Sequence, residues 1–216
     1  MRVAGLYDIH GNLPALEAVL EEVHRAGVDR IVVGGDVVPG PMPRETLQRL
    51  LRLDLPVQFV HGNGDLAVLA SWPKTVRIEI PRLGRVLACH GTPRSETEVF
   101  SRLTAEDRLL PIFDGLGVAV VVCGHTHMQF DRMVGRTRVV NAGSVGLPAG
   151  EPGAHWVLLG PDVELRRTAY DRAGAAERFR GTQYPRADDV AKQVLEPPSE
   201  RDMLDFVSKH ELMEGG

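Results

Sequence analysis

Cysteine is scarce: only Cys89 and Cys123 occur among 216 residues. Two thiols cannot build a disulfide framework, so a reducing, cytoplasmic compartment is expected. Long apolar runs are missing too. The N-terminal stretch from Val3 to Tyr7 is too short for a signal-peptide core, and Asp8 ends it. No later segment has the charge-free length that a membrane span needs. There is no excess of positive charge: the formal net charge is -4. That excludes a global attraction for nucleic acid or anionic lipid, although a local positive site could still hold an anion. Internal repeats and low-complexity linkers are absent as well.

What is present fits a folded globular chain, with 43% hydrophobic and 25% charged residues. The length suits one domain over 1–216, with residues 171–216 as a helical C-terminal extension packed on it. A homo-oligomer is compatible with this composition.

The first half alternates strands and helices. Val3 to Tyr7 and Ile31 to Val33 are short apolar runs that suit buried strands. Between them Asn12 offers a helix cap, Pro14 sits just inside, and Leu16, Val19, Leu20 and Val23 form a stripe that Gly27 ends. A second helix is expected from Arg44 to Leu53, with Leu47, Leu50 and Leu51 facing inward. Val57 to Val60 is a third strand. The order strand–helix–strand argues for a parallel core. Later come Val76 to Ile80, Arg85 to Cys89, a helix capped by Thr104, and Val118 to Val122. Shorter strands follow at Phe130 to Val134, Arg138 to Val140, Trp156 to Leu159 and Val163 to Thr168. Ala173 to Arg180, Asp188 to Leu195 and Ser199 to His210 read as helices. The expected class is α/β (α+β): a four-layer αββα sandwich of two mixed sheets flanked by helices.

The informative feature is where the strands stop. Five ends deliver Asp8-Ile9-His10, Gly35-Asp36, Gly62-Asn63-Gly64-Asp65, His90-Gly91 and Gly124-His125-Thr126-His127. In open α/β sheets the carboxyl ends of strands are where ligands bind, and glycine lets backbone approach closely. Alone, each piece reads as an ordinary turn or a structural histidine. Together, two Asp, one Asn and four His form an oxygen–nitrogen ligand set that needs no thiolate. It suits Mn first, with Fe, Zn or Ni as alternatives. Seven ligands exceed one tetrahedral site and fit two ions sharing a carboxylate. Two such ions about 3.5–4 Å apart clamp an in-line displacement at phosphorus.

Taken in order, these five blocks resemble the calcineurin-like metallophosphoesterase superfamily, whose signature runs D-x-H, G-D, G-N-x-[DE], H and G-H-x-H. Asn141-Ala142-Gly143-Ser144 is similar to the N-[PA]-G-S segment of its small YfcE-type phosphodiesterase branch. The resemblance implies a two-sheet sandwich and two divalent transition metal ions. Asp8, His10, Asp36 and His127 would hold one ion. Asp36, Asn63, His90 and His125 would hold the other, with Asp36 bridging. It implies hydrolysis of a phosphodiester by a hydroxide that bridges the two ions. One departure stands out: many members carry G-N-H, whose histidine protonates the leaving oxygen, and here the position is Gly64. His61 is the nearest substitute, beside the reading of an ordinary loop histidine. Asp65 is either an orienting residue behind a ligand or the cap of a helix starting there.

Other residues carry two readings. Arg94 either clamps a substrate phosphate or is a solvated arginine. Cys89 and Cys123 are small buried residues, and Ser144 is a turn residue. Phosphomonoesterase, protein phosphatase and dinucleoside polyphosphate hydrolase activities are alternatives on the same site. A metal-binding scaffold with little catalysis is a further one. A scaffold would be expected to lose ligands, whereas every ligand position here is filled. The expected partner is a small phosphate ester.

Overall fold

The computed structural model describes residues 1–65, 69 and 71–212. Among these residues, ten strands and six helices follow the order read from the sequence. The strands are β1 (Val3–Leu6), β2 (Arg30–Val33), β3 (Val57–Phe59), β4 (Thr75–Ile80), β5 (Gly84–Cys89), β6 (Val120–Cys123), β7 (Phe130–Val134), β8 (Thr137–Asn141), β9 (Ala154–Leu159) and β10 (Val163–Thr168). The helices are α1 (Leu13–Arg25), α2 (Pro43–Leu51), α3 (Glu106–Phe113), α4 (Arg172–Arg180), α5 (Ala187–Leu195) and α6 (Glu200–His210).

Two mixed five-stranded sheets result, ordered β10-β9-β1-β2-β3 and β4-β5-β6-β8-β7. Within the first, β1, β2 and β3 run parallel. Within the second, β5, β6 and β8 do. Both parallel cores are covered on two faces, which is why their strands read as unbroken apolar runs. In β6, Val120 and Val122 face the layer between the sheets, where they join Val3, Val32 and Val157. Val121 and Cys123 face the opposite way and pack with Leu109, Ile112 and Phe113 of α3. Helix α1 lays Leu16, Val19 and Leu20 on the outer face of the first sheet, against Ala4, Leu6 and Ile31.

Local chemistry explains the element ends. Asn12 caps α1, its side-chain oxygen accepting the Ala15 N–H at 3.0 Å. Gly27 follows the helix with φ 61°, the left-handed geometry that closes a helix. Two local expectations are corrected. Leu51 points outward and is 64% exposed, because α2 ends there and only Thr46 and Leu50 are buried. Thr104 does not cap α3, which starts from Ala105 without a side-chain cap. Its hydroxyl accepts the Ser101 N–H and donates to Glu211 instead. The helix that Asp65 was expected to cap falls largely on 66–68 and 70, outside the described residues.

The sheet topology places the site. The carboxyl ends of β1, β2 and β3 in one sheet and of β5 and β6 in the other deliver Asp8, Asp36, Asn63, His90 and His125 to one edge of the sandwich. Two cavities, of about 580 and 480 Å³, lie elsewhere and contain none of these residues.

Candidate metal centre

The seven residues converge. Asp8 Oδ1 lies 3.4 Å from His127 Nε2 and 3.8 Å from His10 Nε2. It is 3.9 Å from His90 Nε2. Asp36 faces both sides: Oδ2 is 3.9 Å from His10 Nε2 and Oδ1 is 3.7 Å from His90 Nε2. Asn63 Oδ1 sits 3.0 Å from His90 Nε2. The rings form two tilted pairs, His10 with His127 and His90 with His125, each with centroids 4.9 Å apart. Asp8, His10 and His127 form one group able to hold an ion, and Asp8, Asp36 and His90 another.

Each imidazole is aimed by a backbone carbonyl. His10 Nδ1–H donates to Pro39 O at 3.0 Å, His90 Nδ1–H to Gly34 O at 2.9 Å, and His127 Nδ1–H to Leu147 O at 2.6 Å. In the neutral ring that leaves a bare lone pair on each Nε2. His125 is turned the other way: its Nε2–H donates to Thr97 O at 3.2 Å, so its lone pair is on Nδ1. This is the usual second partner of a metal-bound histidine. The consequence is an inward cluster of acceptors. Asp8 Oδ1 is buried, and among the described residues it has no well-formed hydrogen bond, the His127 Nε2 lying 3.4 Å away; a buried carboxylate oxygen left bare is costly. The His10 and His127 Nε2 atoms are 3.1 Å apart. Two ligands of one ion at about 2.0–2.1 Å would show that spacing. The residues therefore fit divalent metal.

Burial and neighbouring charge shift four of these groups in different directions. Burial pushes the Asp8 carboxyl up, but His127 and His90 outweigh it and hold it well below the usual carboxylate range. Burial lowers His127, yet the Asp8 charge wins and raises it. His125 is pushed down to about 4 by burial and by His90. His10 is lowered by burial and by His127.

The backbone is bent to build this. Seven described non-glycine residues have positive φ, and five of them are Asp8, His10, Asp36, His125 and His127. Such geometry costs of order 1 kcal/mol or more per residue, and strain of this kind clusters at functional sites. Glycine makes the close approach feasible. A Cβ on Gly124 would stand 2.3 Å from Asp8 Oδ2, and one on Gly62 would stand 2.3 Å from Asp36 Oδ1.

Asp65 is buried and receives four backbone N–H groups. Those of Asp36 and Gly62 reach Oδ2, both at 3.0 Å, and those of Val37 and Val38 reach Oδ1 at 2.9 and 3.4 Å. It thus ties the loop carrying Asp36 to the loop carrying Asn63. His61 is half-buried at the end of β3, with its N–H on Pro73 O. Arg94 is engaged by the buried Glu98, which accepts from its Nε and Nη2 at 2.6–3.0 Å. Ser144 does more than form a turn. Its hydroxyl donates to Asp8 O at 2.8 Å and accepts the Leu147 N–H. The Asn141 amide donates to Gly124 O at 2.6 Å. The orienting carbonyls of Gly34, Pro39, Thr97 and Leu147 left no signal, since any residue supplies one. His10 and His127 keep 13% and 17% side-chain exposure, so the cluster is open to solvent on that side.

Comparison with known proteins agrees with this geometry. Residues 1–162 match the calcineurin-like phosphoesterase superfamily domain. The chain is 30% identical over 177 residues to the phosphodiesterase YfcE of Escherichia coli (strain K12), spanning 76% of this chain and 89% of that protein. Among solved structures, a metallophosphoesterase from Sphaerobacter thermophilus superposes with TM-score 0.70 at 25% identity, covering 90% of this chain and 98% of the other. A YfcE structure, described as a phosphoesterase from E. coli, superposes with TM-score 0.59 at 26% identity, covering 79% and 97%. No helix among the described residues is long and apolar enough to cross a membrane. With three quarters of its length matched and its ligand cluster assembled at the strand ends, the chain belongs to the calcineurin-like phosphoesterase superfamily.

Proposed function

We propose that this chain hydrolyses a small phosphodiester at two divalent transition metal ions. The observation that carries the reading is the convergence of potential ligand atoms: Asp8 Oδ1, the Nε2 atoms of His10, His90 and His127, which carry lone pairs when the rings are neutral, and the Asn63 oxygen. Asp8, His10, Asp36 and His127 would hold one ion. Asp36, Asn63, His90 and His125 would hold the other. Asp36 bridges, in keeping with its two oxygens facing the two histidine pairs. Mn is the first choice for this oxygen–nitrogen set, with Fe, Zn and Ni next.

When bound, such ions act as Lewis acids on phosphoryl oxygens and bring a water's pKa toward neutrality. The chain's own residues do the rest. Two carboxylates against two divalent charges leave about +2 at the centre, so a phosphate anion is attracted although the whole chain is negative. Asn63 stands exposed at the rim, where it can meet a non-bridging oxygen of the ester as well as a metal. Asp65 locks Asp36 in place. His61, two residues before Asn63, is the candidate donor of a proton to the leaving oxygen, since Gly64 has no side chain to give one. Arg94, held by Glu98, is the candidate for the outer phosphate oxygens.

The diester preference draws on the YfcE relative's name and on Gly64. Its test is a parallel assay of the Mn-loaded chain on a diester and a monoester with the same leaving group. Faster turnover of the diester is expected. Preference for the monoester would move the assignment to a phosphomonoesterase.

A further inference from the structure

The carbonyls that aim His125 and His127 belong to loops, and loops hold a geometry only when something holds them. Thr97 lies in the segment between β5 and α3. Leu147 lies in the segment between β8 and β9. A single piece of chain, 198–212, is fastened to both, and it falls outside the part matched by the family domain.

We propose that residues 198–212 form a strap that positions His125 and His127 for metal, with Val207 and Glu211 as its fixing points. The inference rests on the metal-centre reading above.

At its start the strap holds the Leu147 loop, where Pro198 O accepts the Gly150 N–H at 2.8 Å. In its middle, Val207 is fully buried with Met128 and Ala149, flanked by Val99, Met203 and Leu204. Met128 directly follows His127, and the Ala149 N–H donates to His127 O at 3.1 Å. Packing at Val207 is therefore transmitted to the His127 backbone from two sides. At its end the strap holds the Thr97 loop. The Leu212 N–H donates to Val99 O at 2.9 Å, and Glu211 pairs with Val99 as a parallel bridge. The Glu211 carboxylate accepts the Thr104 hydroxyl at 2.7 Å and Arg108 Nη1 at 2.6 Å, and the Arg108 Nη2–H reaches Glu211 O. Its side chain is only 13% exposed, so these bonds are stronger than those of a loose surface pair.

The loop's internal bonds, such as Thr92 to Glu98 and Ser101 to Thr104, set its shape, while exposed Lys74 pairs with Glu96 and buried Phe100 packs on Phe113 and Phe130. Arg132 anchors the far end through the carbonyls of Arg102 and Thr104. The Val99 carbonyl, two residues from Thr97, goes to the strap. Val207 and Glu211 are thus positioning residues, acting on two ligands through the partners of those ligands. Losing such partners typically weakens metal binding about 10–100-fold.

The test adds Co²⁺ to the metal-free full chain and follows both binding heat and the visible Co²⁺ absorption, which reports coordination geometry. Val207→Ala and Glu211→Ala should weaken Co²⁺ binding about tenfold and change the band shape. Glu211→Gln, which keeps an oxygen for Thr104, should lie nearer wild type. Val23→Ala, in the α1 core far from the centre, is the control for general destabilisation: it should lower the melting temperature but leave Co²⁺ affinity and spectrum unchanged. Unaltered binding in Val207→Ala and Glu211→Ala would overturn the strap alone. Equal weakening in Val23→Ala would overturn it too, by showing a global effect. A wild-type chain that binds no Co²⁺ would overturn the metal-centre reading, and the strap with it.

Discussion

The Nε2 atoms of His10 and His127 face each other at 3.1 Å while both Nδ1–H groups are spent on backbone carbonyls. With both rings neutral, two lone pairs at that distance repel, and a proton or a metal ion against them relieves this. Metal binding should therefore stabilise the fold markedly. Ligand at one hundred times its dissociation constant contributes about 2.7 kcal/mol. Chelation should lower the melting temperature by several degrees, and added Mn²⁺ should restore it. Differential scanning calorimetry with and without chelator checks this, and an unchanged melting temperature would count against it.

Asp36 and His127 should differ in what their loss removes. Asp36 faces both histidine pairs, so Asp36→Ala should weaken both ions and abolish turnover. His127→Ala should weaken mainly one. Metal-binding isotherms of the two variants decide the matter. Near-normal turnover of Asp36→Ala with both ions bound would show that the bridge lies elsewhere, with Asp8 the next candidate.

Asp65 should matter without touching substrate. Its carboxylate accepts four backbone N–H groups, and charged hydrogen bonds are among the strong ones. Asp65→Asn turns one acceptor into a donor facing donors. A loss of about 2–4 kcal/mol is expected, read by urea unfolding of the metal-free chain. A loss below about 0.5 kcal/mol would mean that water replaces the carboxylate.

His155 sets a pH dependence apart from the metal centre. It is 5% exposed, and among the described residues neither ring nitrogen makes a well-formed hydrogen bond, with the Glu151 backbone only a weak compensation. Burial pushes it down to about 4. The unfolded chain takes up this proton near pH 6.5, while the folded chain resists until near pH 4. Stability is therefore intact above about pH 6.5 and falls as pH drops toward 4, by up to about 3 kcal/mol from this one group. Denaturation of metal-free wild type and His155→Leu between pH 4 and 8 tests the sign. The wild type should lose more stability than the variant on acidification, and parallel curves would refute the assignment.

Gly64 should make the enzyme sensitive to its leaving group. General acid catalysis contributes about 10²–10⁴-fold, mostly for poor leaving groups, so the rate should fall steeply as leaving-group pKa rises. His61→Ala should steepen that dependence if His61 supplies the proton. Gly64→His is a demanding rescue, because a Cβ there would lie 3.0 Å from both Asp36 Oδ2 and Pro39 Cγ. Gly64→Ala is the control that separates this crowding from acid chemistry. A flat dependence in wild type, unchanged in His61→Ala, would point to another donor.

Much of this site could be read from the chain because strands that end in Asp, Asn or His beside glycine announce themselves. Asn12 and Gly27 marked α1 by local chemistry, and buried parallel strands marked themselves by unbroken apolar runs. The rest depended on three-dimensional partners. The positive φ of Asp8 and His127 follows from the sharp turns that bring strand ends together, not from residue type. Thr104 serves Glu211 across 107 residues of chain, where a local rule assigns a helix cap, and the Glu98 that holds Arg94 could not be singled out from spacing alone. Leu51 kept the helical spacing of a core residue, yet α2 stops before the core reaches it.

Two metal ions are expected among these seven residues. Elemental analysis of chain purified without chelator, joined to a binding isotherm on the stripped chain, measures this directly. Close to two divalent transition metal ions per chain, bound in two steps of which Asp36→Ala disturbs both, is the predicted result. A single site that saturates at one ion, or none, would contradict it.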